Sequence, residues 1–139
     1  MLSTKMTDYG DVRTTKLQFN GAIAQLEDAL KKEGFGVLCQ IDIQAKLKEK
    51  LGVDFTRYVI LGACNPPLAL QALQKDMNLG LLLPCNAVVY EEDGQVRVGV
   101  VDALKMLAVA NQPEMEGLAR QVNEKLQRAL DAVAPRQAE

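Results

Sequence analysis

The stretch from Asn86 to Val101 limits the folds open to this chain more than any other. Asn86-Ala87-Val88-Val89-Tyr90-Glu91 and Gln95-Val96-Arg97-Val98-Gly99-Val100-Val101 are both rich in β-branched residues, and Asp93-Gly94 stands between them. An Asp-Gly pair accepts the positive backbone angles of a tight hairpin turn, so the two runs form adjacent antiparallel strands. Any fold for this chain must contain a sheet built around that hairpin.

The rest of the chain supplies strands and helices in alternation. Val12 to Phe19 alternates in strand fashion. Phe19, Ile23, Leu26 and Leu30 then recur at helical spacing, with Gln18 or Asn20 to begin the helix and Gly34 to end it. Phe35 to Ile41, apolar but for Gln40, predicts a mostly buried strand. Asp42 suits the N-cap of a short helix with Ile43, Leu47 and Leu51 on one face, ended by Gly52. Arg57 to Ala63 is strand-like, and Pro66 to Asp76 presents Leu68, Ala69, Ala72 and Leu73 at helical positions. Asp102 suits the cap of a helical turn over Ala103 to Met106. Pro113 opens a last helix with Met115, Leu118, Val122, Leu126, Ala129 and Val133 inward. This order predicts an α+β fold: one sheet of mixed or mainly antiparallel pairing, helices on one side, and extra short helices in the loops. The 139 residues form a single domain, 1–139, with a core over 10–133 and a frayed tail over 134–139.

Composition removes several classes of function. With no histidine there is no Ser-His or Cys-His dyad and no imidazole metal ligand. The net charge is −2, and the densest basic stretches, Lys31-Lys32-Glu33 and Lys46 to Lys50, each contain a glutamate. Nucleic acid is therefore not an expected partner, because phosphates need a basic face. No stretch approaches the ~20 apolar residues of a membrane span, and the first ten residues have no apolar leader segment. The expectation is a cytoplasmic protein with no membrane partner. There its 3 cysteines stay reduced, and an odd number fits poorly with a disulfide framework.

Two of those cysteines carry the most specific local pattern, Cys64-Asn65-Pro66-Pro67 and Pro84-Cys85-Asn86. Asn65 suits the N-cap and Pro66 the first position of the helix that follows. Orphan amides at that helix start would favour negative charge at Cys64, either a thiolate or a bound anion. The plainer explanation is packing, since free cysteine is among the most buried residue types. Pro84 cannot donate to a sheet ladder and marks a strand start. Cys64, Asn65, Pro66, Cys85 and Asn86 are the candidate ligand-binding residues. Two thiolates without histidine or CxxC spacing leave a structural zinc site incomplete, so no metal site is assigned. A soft-metal pair assisted by Met77 is less favoured than Met77 as a loop residue. Asp42 and Asp102 read as caps, not as general bases. No residue is given a catalytic role, and no cofactor is identified.

The blocks Gly34 to Phe55, Tyr58 to Leu73 and Gly80 to Glu91 together resemble the bacterial and archaeal family called domain of unknown function 302. The resemblance runs from about Phe19 to Met106. It implies a single copy of the TATA-binding-protein-like arrangement, in β-α-β-β-β-β-α order, and a homodimer. It supplies no activity, and a shared fold does not carry over DNA binding. Cys39 stands where the family more often has threonine or serine, which separates it from any shared site. Asp102-Ala103 and Asp76-Met77 replace Asp-Pro pairs at loop and helix starts.

Three functions remain open on these residues. The first is a module that binds a small polar or anionic molecule at the two Cys-Asn blocks. The second is a thiol-based redox or sulfur-handling role for Cys64 and Cys85 as a pair. The third is a structural or protein-interaction role.

Overall fold

The computed structural model describes residues 4–136. Strands β1 (Thr4–Met6), β2 (Gly10–Thr15), β3 (Gly36–Asp42), β4 (Tyr58–Cys64), β5 (Cys85–Glu92) and β6 (Gln95–Val101) form one sheet in the order β1-β2-β6-β5-β4-β3. Every neighbouring pair is antiparallel. The helices are α1 (Phe19–Lys32), α2 (Ile43–Leu51), α3 (Pro66–Lys75), α4 (Ala103–Ala108) and α5 (Glu116–Val133). A 3₁₀ helix, Met77–Leu82, lies between α3 and β5, and a second, Pro113–Met115, leads into α5. The architecture is α+β, as the element order predicts.

The β5–β6 hairpin turns at Asp93 and Gly94, whose φ angles of 54° and 76° are the positive values the Asp-Gly pair permits. Along β4, β5 and β6 alternate residues point into the core: Val59, Leu61 and Ala63, then Cys85, Ala87 and Val89, then Val96, Val98 and Val100. Leu26 and Leu30 of α1 and Leu126 and Leu130 of α5, all fully buried, join them in one cluster. Each such leucine contributes about 1.5–3 kcal/mol by leaving water. On the other face Tyr58 and Tyr90, directly opposite in register, stack with ring centroids 5.0 Å apart and 14° between planes.

The sheet face under the helices also holds a buried ionic cluster. Arg13 is 2% exposed and donates to Asp11 at 2.9 Å, to the Ala134 carbonyl at 3.1 Å, and to Asp131 and Gln127. Thr15 donates to the Val133 carbonyl at 2.9 Å, and Arg136 pairs with Asp11 at 3.0 Å. These bonds fasten the end of α5 to β2. The expected fraying therefore does not begin at residue 134: Ala134 is fully buried and Arg136 is anchored, while 137–139 lie outside the described residues.

Two further expectations are corrected. The apolar run read as a buried strand becomes β3, an edge strand with Leu38 67% and Ile41 39% exposed. Helix α2 has its expected cap, Asp42 accepting from the Ala45 N–H at 2.9 Å, but none of its residues is buried. The strand was read as mostly buried and the helix as having one apolar face, and among the described residues nothing covers either. The three-residue β1 has too little sequence to show a pattern, and its pairing with β2 makes it a strand.

Candidate functional site

Strand β4 ends at Cys64, and Asn65 opens α3 with extended backbone, φ −99° and ψ 102°. Its side chain holds two elements together. Oδ1 accepts from the Leu68 N–H at 3.4 Å, and Nδ2 donates to the Glu33 carbonyl beyond α1 at 3.3 Å. Asn65 thus caps one helix and braces the exit of another, and it is 8% exposed.

This start closes the anion site expected there. Pro66 and Pro67 have no N–H, Leu68 gives its N–H to Asn65 Oδ1, and Ala69 gives its own to the Asn65 carbonyl at 2.8 Å. The first turn of α3 has no amide left to offer a thiolate or a bound anion.

Cys85 begins β5 directly opposite Ala63, and both face the helices. The cis peptide bond Leu83–Pro84 precedes it. Cys64 is half-buried and Cys85 is buried at 5% exposure. Burial, and then the charge of Cys64, push the Cys85 thiol up to about 11 from an ordinary 9.0. A thiol so placed stays protonated at neutral pH, the opposite of an activated nucleophile.

Cys64, Asn65 and Cys85 line one cavity of about 240 Å³ beneath α3. Leu68, Ala69, Ala72 and Leu73 of α3 form one wall, and Leu118 and Val122 of α5 with Leu107 of α4 form another. Phe35, Leu38, Ala63, Gly80, Leu83 and Pro84 complete it. No lining residue is charged, and the amide of Asn65 is already engaged. The start of the 3₁₀ helix beside the cavity is tied to the connection between α4 and α5 by Gln112, which donates to Asp76 at 2.6 Å.

The other two candidates lie elsewhere. Asn86 is exposed on the opposite side of β5, between inward Cys85 and Ala87, and Pro66 is exposed at the start of α3. Cys39 is also apart from the pair. A side chain on Gly62 would leave the sheet away from the helices, because Leu61 and Ala63 on either side point inward. A Cβ there would stand 2.7 Å from Cys39 Sγ and 2.9 Å from Pro84 Cγ. Cys39 therefore packs behind the sheet, against the glycine. The walls from α4 and α5 were not anticipated as part of a site. Leu118 and Val122 were legible as inward residues, but that they converge on Cys85 is a product of packing. Among the described residues, no group of three or more cysteines and carboxylates is arranged to hold a metal ion. No described helix is long and apolar enough to cross a membrane.

An antiparallel sheet backed by helices, with two thiols in an uncharged cavity under one of them, defines a small α+β domain that carries a single cysteine-lined pocket among its described cavities. The chain belongs to the family described as domain of unknown function DUF302, whose profile matches residues 11–133. It is similar to an uncharacterized conserved DUF302 protein from Bacillus stearothermophilus, known from a crystal structure. The two share 36% sequence identity with a TM-score of 0.84, over 89% of this chain and 97% of that one. No curated protein sequence matches this one.

Proposed function

We propose that this protein is a small-molecule binding module and that its site is the cavity at Cys64 and Cys85. The observation that carries the reading is the cavity itself: about 240 Å³ lined mostly by aliphatic side chains, with Cys64 and Cys85 in its wall. The ligand class differs from the polar or anionic one expected from the sequence. A charged group placed there would lose its hydration and meet no charged partner in return. A neutral, largely apolar molecule loses little and gains contacts on every side. The thiol-based role is the weaker reading, because Cys85 titrates at about 11.

Thermal unfolding with a panel of small molecules tests the reading, using wild type and Ala72→Phe, which fills the cavity. A ligand at a hundred times its Kd stabilises by about 2.7 kcal/mol. Stabilisation of wild type alone supports the cavity as the site. Equal stabilisation of both proteins contradicts it.

A second reading concerns assembly, and we propose a homodimer formed through β3 and α2. Among the described residues one side of β3 has no strand partner, and the strand has no proline and no charge before Asp42, the usual protections of an edge. Helix α2 has nine residues and no buried one, whereas isolated helices under about 12–15 residues are marginal in water. Leu51, Val53 and Phe55 are exposed at the end of α2 and just after it. Sedimentation velocity is expected to show a dimer for wild type and a monomer for Leu51→Asp with Val53→Lys. A monomeric wild type overturns this reading.

A further inference from the structure

The cavity carries information about the shape of what it holds as well as its polarity. Its volume of about 240 Å³ falls below the roughly 300–1,000 Å³ of sites that enclose a whole drug-sized ligand. A larger molecule would be only partly enclosed. Three lining residues, Leu38, Gly80 and Pro84, are exposed, so the cavity opens between the edge strand β3 and the start of β5. The surface beside that opening is apolar as well. Leu38 is 67% exposed, and Met77 and Leu81, in the same 3₁₀ helix as Gly80, are 81% and 87% exposed. Side chains of this size left in water beside an apolar cavity extend its surface outward.

We propose that the cavity takes the end of an aliphatic chain, acyl or alkyl, and that the rest of the chain lies over Leu38 and the 3₁₀ helix Met77–Leu82. This inference rests on the cavity being the binding site and adds the ligand class. Phe35 is the only aromatic ring in the wall, so a planar ring finds no facing pair to stack between. A saturated chain needs no hydrogen bond, which suits a wall made almost wholly of apolar side chains. The two thiols suit the same occupant, since a protonated Cys85 behaves as a small apolar group.

Calorimetric titration of the whole chain with primary alcohols from butanol to decanol tests the proposal, with benzene, acetate and inorganic phosphate as comparisons. Each added methylene is expected to tighten Kd about fourfold until the chain outgrows the cavity. Saturating 1-octanol is expected to slow iodoacetamide labelling of Cys64 at least tenfold and to leave Cys39, behind the sheet, unchanged. Labelling needs no variant, so it decides the matter even if Ala72→Phe fails to fold. If benzene, acetate or phosphate protects Cys64 and affinity is flat with chain length, the ligand class is overturned and the site stands. If no compound binds or protects, the site itself is overturned. Co-sedimentation with phosphatidylcholine vesicles assigns the chain to a bilayer lipid, and octanol binding without co-sedimentation assigns it to a soluble one.

Discussion

Raising the pH is expected to weaken this fold through one identifiable thiol. Cys85 is 5% exposed among aliphatic side chains, so ionising it in place means charging a group largely removed from solvent. Its thiol titrates at about 11 in the fold against an ordinary 9.0. Below pH 9 both folded and unfolded chains hold the proton, and the thiol makes no difference to stability with pH. Between 9 and 11 the unfolded chain has released the proton and the fold still binds it. Stability then falls as pH rises, by about 1.4 kcal/mol per pH unit and about 2–3 kcal/mol in all. Tyr58 and Tyr90 are also raised by burial and act in the same direction, so wild type alone cannot isolate the thiol. Urea unfolding of wild type and Cys85→Ala, each with reductant at pH 8, 9, 10 and 11, separates the two. The alanine variant keeps the tyrosines and lacks the thiol. The stability difference, wild type minus variant, is expected to drop by about 2–3 kcal/mol from pH 8 to 11. Parallel curves would refute the claim that Cys85 is buried among apolar side chains.

Other expectations follow from the same contacts. Iodoacetamide at pH 8 is expected to label Cys39 first, then Cys64, and Cys85 last. A pKa of about 11 instead of 9.0 leaves Cys85 about a hundredfold less thiolate; early labelling of Cys85 contradicts its placement. Arg13→Ala strips the buried carboxylate of Asp11 of one of its two arginine partners and frees the end of α5, at a cost of about 3–5 kcal/mol in urea unfolding. A cost under 1 kcal/mol would show that the cluster does not hold the tail. Gly62→Ala forces a methyl to within 2.7 Å of Cys39 Sγ, and about 1–3 kcal/mol should be lost. A double-mutant cycle with Cys39→Ala should recover part of it, and strict additivity would rule out the contact. Asn65→Ala removes both the cap of α3 and its tie to Glu33, for a loss of about 1–2 kcal/mol whether or not a ligand is present.

The parts of this fold legible in the sequence are those set by local chemistry. Asp93-Gly94 needs positive φ, which places a hairpin, and Leu26, Leu30, Leu126 and Leu130 repeat at helical spacing and meet in the core. Asp42, Asn65 and Asp102 each cap the helix they precede. The misreadings arose where burial depends on what lies opposite. An apolar run such as Val37-Leu38-Cys39 is buried only if something covers it, and in one chain β3 stands at the edge. Within the site, some errors were avoidable. Strand alternation alone sends Asn86 to the face opposite Cys85, and two prolines at the start of α3 leave that helix short of amides for an anion. The cavity walls from α4 and α5 were out of reach, since Leu107, Leu118 and Val122 meet Cys85 only through tertiary packing.

The central claim, that the space beneath α3 receives an apolar molecule, is tested most directly by a crystal structure of the protein soaked in 1-octanol. The account predicts continuous density for the chain against Leu68, Ala72, Val122 and the Cys85 sulfur, emerging between Leu38 and Pro84. Octanol bound only elsewhere, or α3 closed down on Cys85 with the cavity gone, would contradict it.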